Sequence, residues 1–225
     1  MNIYPTISTT KKADWRSQIA EIASLRLTEV CFFPTCLELK ERKEAYQLLK
    51  ETQIKKIPLV HLRSDMELWE LDYLTANYQV VFFNIHSQKQ FPLSDDFKKY
   101  ISKIYIENTV YPLATAEIDH VAGVCVDFSH LENARLVDKE RYQNDIQTIH
   151  HYPHRCGHIS SIRNTPHFDE EWGTINYHYH RFKNLSEFDY LRNYRDIFPE
   201  VAALELENSI AEQLKVNGYL VKLLQ

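Results

Sequence analysis

The chain has 225 residues, 44% hydrophobic and 25% charged, with a formal net charge of −5 and only 4 glycines against 11 histidines. That length is enough for one large domain with a substantial core, and no Pro/Gly/Ser-rich stretch divides it, so a single domain over residues 1–225 is expected. No segment approaches the ~18 consecutive apolar residues of a membrane helix. The opening MNIYPTISTT has no basic region leading into an apolar run, which makes the cytosol the expected compartment. No block of Lys/Arg stands out, which argues against a nucleic-acid partner, although a local basic groove can sit inside an acidic total. Scarce glycine leaves little material for a Gly-rich phosphate cradle, and abundant histidine favours metal or proton chemistry. Cys31, Cys36, Cys125 and Cys156 lack CxxC spacing and fall in or beside predicted strands, the pattern of reduced thiols rather than a zinc knuckle or disulfides.

Residues 2–8 read as a strand, and 13–25 as a helix whose Trp15, Ile19 and Ile22 recur at i, i+4, i+7. A second strand covers 29–35, and a charged helix over about 37–52 has Ala45, Leu48 and Leu49 as its inner stripe. In KIPLVHL (56–62), the third strand, Ile57, Leu59 and His61 share a face, and Pro58 withholds one ladder hydrogen bond. Ser64 and Glu67 have capping-box spacing and open a helix to about Asn77. VVFFNIHS (80–87) puts Phe82, Asn84 and His86 on one side, and a helix from Ser94 covers about 93–101.

Two apolar runs that end in acids come next. In KIYIENT (103–109) Ile104 and Ile106 oppose Tyr105 and Glu107; in GVCVDFSH (123–130) Val124 and Val126 oppose Cys125 and Asp127. A short segment near 112–119 joins them, and a longer helix is predicted over about 132–150. CGHISSI (156–162) sets Cys156, His158 and Ser160 on one face. Residues 163–185 read as a long polar and aromatic loop with His167, His178 and His180, a length that in compact domains signals function or disorder. Ser186 with Asp189 opens a helix to about Phe198; in VAALELEN (201–208), the last strand, Leu204 and Leu206 oppose Glu205 and Glu207; Ser209 with Glu212 caps the final helix.

Strand followed by helix, eight times over, is the grammar of an α/β chain folded as a (β/α)8 TIM barrel, typically of about 250 residues. A doubly wound open sheet would need a glycine fingerprint in its first turn, and none is present. Barrel active sites are built at the C-terminal ends of the strands. From strand three onward these ends are His61, His86, Glu107, Asp127, His158 and Glu207, with His130 three places past Asp127. Any one of them alone is more often a solvated or hydrogen-bonded residue than a ligand. Six in succession call for another account, because carboxylates aimed into one interior repel one another unless a cation or protons compensate.

Glu107, Asp127, His158 and Glu207 are therefore expected to bind a divalent cation. His61 and His86 are either further ligands or substrate hydrogen-bonders, while His178 and His180, among Tyr177, Tyr179 and Phe182, also suit an ordinary polar loop. Three carboxylates and one imidazole suit Mn2+, Mg2+ or Co2+; a set richer in histidine would suit Zn2+.

At IEN (106–108), DFSH (127–130), GHIS (157–160) and LELEN (204–208), in that order, the chain resembles the xylose isomerase-like TIM-barrel superfamily. That superfamily includes sugar and sugar-phosphate isomerases and epimerases and the endonuclease IV-type AP endonucleases. The resemblance covers nearly the whole barrel, and its specificity comes from the order of short pieces. It implies, for the epimerase branch, one divalent metal held by Glu107, Asp127, His158 and Glu207. Glu107 and Glu207 would exchange the proton on opposite faces of the substrate through a cis-enediolate. His130 would meet the substrate oxygen near the carbonyl and Arg163 a distal hydroxyl, though the loop of Arg163 departs from the family pattern. The endonuclease branch implies more histidines, matched by His61, His86, His130 and His180; His178 stands where that branch has an acid, which counts against a trinuclear zinc cluster. The expected activity is a divalent-metal-dependent isomerase or epimerase for a small polyhydroxylated substrate. Phosphodiester hydrolysis, or metal binding without catalysis, is the alternative, and the oligomeric state is left open.

Overall fold

The computed structural model describes residues 2–170 and 173–225. The chain forms β1 (Asn2–Ser8), β2 (Cys31–Phe33), β3 (Leu59–His61), β4 (Phe82–Ile85), β5 (Ile104–Glu107), β6 (Gly123–Asp127) and β7 (Cys156–Ile159). A hairpin of β8 (Ser161–Asp169) and β9 (Thr174–Tyr179) follows, and then β10 (Val201–Leu204). Strands β1 to β7 and β10 are all parallel and close into a barrel, β10 pairing with both β7 and β1. This is a (β/α)8 barrel, as the alternation of strand and helix predicts.

Alternation along each strand sorts side chains into two layers. The outward face is aliphatic, with Ile104, Ile106, Val124, Val126, Ala202 and Leu204 buried in a core shared with the helices. Inside the barrel, Cys31, Phe33, Leu59, Phe82, Tyr105, Cys125, Cys156 and Ala203 form a second apolar cluster. Two residues further along β3 to β7, the same inward face turns polar: His61, Asn84, Glu107, Asp127 and His158 are all buried. The barrel thus has an oily floor and a charged mouth. At the base of β6, Gly123 has φ +148 and lies against Pro153, where a Cβ would come within 2.0 Å of the carbonyl oxygen.

The helices are α1 (Trp15–Leu25), α2 (Leu39–Lys50), α3 (Leu68–Tyr78), α4 (Thr115–Ile118), α5 (Phe128–Val137), α6 (Lys139–His151) and α7 (Ile210–Leu224), with 3-10 segments at Asp95–Lys103 and Leu185–Ile197. Ser94 and Ser209 cap as expected. The box before α3 is Glu67 with Glu70, not Ser64 with Glu67. Glu70 is fully buried against Arg42, so it sets the register of the first turn while Ser64 stays in the preceding turn. Arg42, itself 1% exposed, donates to both Glu70 oxygens at 2.8 and 3.0 Å and to the Leu37 carbonyl at 2.9 Å. It also reaches Asp65, tying together the segments that follow β2 and β3.

Two other expectations are corrected. The helix predicted over 132–150 is two helices, because Asp138 (φ −147, ψ 83) leaves the helical region and accepts from Arg141 N to start α6. Much of the segment predicted as a loop over 163–185 is the β8–β9 hairpin. Ile175, Tyr177 and Tyr179 alternate with Asn176 and His178, and Gly173 at φ +62 follows the turn. The hairpin folds onto α5 through Asn133, which donates to Asn176 Oδ1 and accepts from Tyr177 N.

Candidate metal centre

At the mouth, β5, β6 and β7 bring three predicted residues together. His158 Nδ1 lies 3.3 Å from Glu107 Oε2 and 3.8 Å from Asp127 Oδ2. Potential ligand atoms of Glu107, Asp127 and His158 all fall within 4.8 Å of one another, as do those of His61, His86 and Glu107, so Glu107 belongs to both groups. His61 Nε2 stands 3.1 Å from Glu107 Oε2 and 3.2 Å from His86 Nε2. His61 Nδ1 sits 2.9 Å from the Leu62 carbonyl and donates to it, which leaves Nε2 as an acceptor facing a carboxylate oxygen. Two acceptors face each other at that distance only when a cation or proton lies between them.

A third carboxylate comes from Glu205. Its Oε2 is 3.7 Å from His158 Nδ1 and 3.9 Å from His180 Nε2. Glu205 continues the inward phase of Val201 and Ala203, whereas β10 ends at Leu204 and Leu206 N turns back to the Leu204 carbonyl. That turn carries Glu207 to the rim, where its backbone N–H donates to His180 O and its side chain accepts from Thr10 Oγ1 at 2.8 Å. The sequence pattern puts both glutamates on one face; their separation depends on where the strand stops, which periodicity does not encode.

Neighbouring groups hold the acids in position. Asn84, not anticipated as a site residue, donates to Glu107 Oε2 at 2.7 Å. Ser129 Oγ and His130 N both donate to Asp127 Oδ1, at 2.6 and 2.7 Å, so the start of α5 fixes that oxygen. Asp127 Oδ2 and both His158 ring nitrogens are buried with no hydrogen-bond partner among the described residues. Buried polar atoms are nearly always satisfied, so the unpartnered Asp127 Oδ2 and His158 Nδ1, 3.8 Å apart, indicate a missing ligand.

The electrostatics record the same crowding of acids and imidazoles. Burial alone would drive the Glu107 carboxyl up, but the His158 and His86 imidazoles outweigh it and hold it well below the usual carboxylate range. Burial works against the His158 imidazolium, yet Glu107, Glu205 and Asp127 push it up to about 9. Asp127 is raised by burial, with Glu107 and Glu205 adding to the effect and His130 opposing it. Burial brings His86 down to about 4, so its ring is neutral at neutral pH, the form that can ligate a metal.

The remaining predicted residues ring this centre. His130 Nε2 is 3.9 Å from Asp127 Oδ2, and its ring lies against His178, centroids 4.6 Å apart. Arg163 points elsewhere, pairing with Glu187 at 3.3 Å. Glu107 and Glu205, with His61, His86 and His130, line a cavity of about 520 Å3, and Asp127 and His158 are fully buried outside its lining.

No family profile and no curated protein sequence matches the chain. Several solved structures resemble it, three of them as follows. A xylose isomerase-like TIM barrel protein from Mycobacterium smegmatis, in complex with magnesium, is 13% identical at TM-score 0.52, over 99% of this chain and 96% of that one. An AP endonuclease, family 2, from Brucella melitensis is 13% identical at TM-score 0.43, over 95% and 96%. A 3-keto-D-glucoside 4-epimerase from E. coli, in its apo form, is 12% identical at TM-score 0.41, over 99% and 98%. At 13% identity the likeness to the magnesium-bound protein is one of fold alone, the (β/α)8 barrel.

Proposed function

We propose that the protein is a divalent-metal-dependent isomerase or epimerase of small polyhydroxylated substrates. The observation that carries this reading is the convergence of Glu107 and Glu205 on His158, at 3.3 and 3.7 Å, in the wall of a cavity large enough for a sugar. Glu107, Asp127, His158 and Glu205 would hold the ion, and the orphaned Asp127 Oδ2 and His158 Nδ1 fit that role. A bound divalent ion supplies Lewis acidity, polarising a carbonyl and its neighbouring hydroxyl.

The chain's own residues do the rest. Deprotonation next to a carbonyl moves a C–H bonding pair into the carbonyl system and gives the proton to a carboxylate; the resulting carboxylic acid can return it to the adjacent carbon, or a second carboxyl, first protonated from solvent, can deliver one to the opposite face. Glu107, kept ionised by the imidazoles around it, is the base, and Glu205 is its counterpart. Asn84 fixes the aim of Glu107, while His61 and His86 stand at the cavity wall, able to hydrogen-bond a hydroxyl group.

The test is metal content of the protein as purified, combined with solvent deuterium incorporation into a panel of aldoses and ketoses with Mn2+, Mg2+ or Co2+. Wash-in that disappears in both Glu107→Gln and Glu205→Gln is expected. A protein that binds no metal, or exchange that survives Glu107→Gln, refutes the reading.

A second reading, phosphodiester hydrolysis, is favoured by the histidine-rich wall of His61, His86, His130, His178 and His180. Nicking of an abasic-site duplex by zinc-loaded protein, absent in His86→Ala, would select it. Metal occupancy with no turnover on either panel would leave a binding protein.

A further inference from the structure

Beside the metal centre lies a second cavity of about 380 Å3, continuous with the first through Lys12, His178 and Glu207 and walled on its far side by Arg163, Arg181 and Lys183. Its lining comes from the segments that follow β1, β7 and β10. Loops after the last two barrel strands are a frequent place for a phosphate in this architecture.

Four cationic side chains face two acidic ones, Asp169 and Glu207, in this lining. Both acids already accept from neutral donors, Glu207 from Thr10 at 2.8 Å and Asp169 from Asn176 at 3.0 Å. Arg163 is held in place by Glu187 at 3.3 Å and by the Tyr179 ring, 3.9 Å beneath its guanidinium. Lys12, Arg181 and Lys183 form no ion pair among the described residues, although Glu212 feels the charge of Arg181 at longer range.

Two further observations point to a ligand. His178 is only 7% exposed, and its Nδ1 has no hydrogen-bond partner among the described residues; the same holds for the buried Nδ1 of His167, in the same lining. Just before Leu185–Ile197, the Lys183 and Asn184 amides donate to Glu187. The cations of the lining can meet an anion through side chains, without a glycine-rich cradle.

We infer that the second cavity is the subsite for a dianionic group of the substrate, a phosphate monoester, so that the molecule turned over at the metal centre is a phosphorylated polyol. The second half of this statement rests on the isomerase reading; the anion subsite does not.

Calorimetry on chelator-treated and Mn2+-loaded protein distinguishes the two, with inorganic phosphate, glucose, glucose 6-phosphate and a single-stranded oligonucleotide as probes. Inorganic phosphate and glucose 6-phosphate should bind both forms saturably, and glucose more weakly. Lys12→Ala and Arg181→Ala should each weaken phosphate binding roughly tenfold or more, the usual weight of a hydrogen bond to a charged group. Both positions are exposed, so melting curves and metal content should not move.

The inference is overturned by binding that vanishes on chelation, which puts the phosphate on the metal. It is equally overturned by affinity unchanged in both variants, by no phosphate binding, or by preference for the oligonucleotide over glucose 6-phosphate. Phosphate binding that persists in a protein found to hold no metal would sink the isomerase reading and leave the anion subsite standing.

Discussion

Arg42→Met is the substitution whose cost follows most directly from the structure. Methionine matches the length of the arginine stem but removes the guanidinium that donates to both oxygens of Glu70, a side chain with 0% exposure. Glu70 would keep the Tyr46 hydroxyl at 2.7 Å and the Glu67 amide at 3.0 Å, and lose its only paired charge among the described residues. Stranding one member of a buried ion pair costs about 3–5 kcal/mol. The two surviving hydrogen bonds argue for the lower half of that range. For a chain of this size, about 2–4 °C of melting temperature goes with each kcal/mol, so melting should fall by about 6–16 °C.

Removing the pair together, as Arg42→Met with Glu70→Leu and Tyr46→Phe, leaves no stranded charge and should recover most of the loss. The measurement is thermal and urea unfolding by circular dichroism, with chelator present so that metal binding does not enter. An Arg42→Met protein within about 1 kcal/mol of the parent would refute the account, because a charge stranded in a closed interior costs more than that. A triple variant no better than the single would also refute it. Because Arg42 reaches both Leu37 and Asp65, the single variant should also loosen the segments after β2 and β3 that line the mouth.

Three further outcomes can be checked in the same way. A divalent ion at a hundred times its dissociation constant should stabilise the protein by about 2.7 kcal/mol; Glu205→Gln should remove most of the shift and Glu207→Gln little of it, and the reverse order would return the ligand role to Glu207. Burial pushes the Asp145 carboxyl up to about 6, so the fold favours its protonated form. Its contribution is fully present below the unfolded value near 4 and is lost as pH rises through about 6; Asp145→Asn should flatten stability between pH 4 and 7, read by melting curves. Gly123→Ala, which forces a Cβ onto the Pro153 carbonyl at positive φ, should cost about 2–4 kcal/mol in urea unfolding; a near-neutral result would mean the β6 base can shift.

The barrel and the inward phase of its strands were legible because alternation needs only the identity of neighbouring residues. Glu107, Asp127 and His158 are brought together for that reason: each is the last inward position of a strand whose outward face is purely aliphatic. What alternation does not carry is termination. In LELEN it marks Glu205 and Glu207 alike, and only the Leu206-to-Leu204 turn separates them. The same limit explains the helix divided at Asp138, where a side chain competes with the backbone for its own amides. The hairpin had a signal of its own, Ile175, Tyr177 and Tyr179 alternating with Asn176 and His178, but the polar partner strand around Arg163 to Asp169 has no apolar face to match it.

The β8–β9 hairpin stands outside the barrel ladder, pairing only with itself and leaning on α5 through Asn133. It nevertheless supplies His178 to the histidine wall, while Arg163 and Tyr179 of the same ribbon face the basic side. On the proposed reading, chemistry and choice of substrate sit on separately built parts. The strand ends that would run the reaction are locked into the closed sheet, whereas the ribbon that would screen incoming molecules could be exchanged for another without disturbing the pairing of the barrel strands.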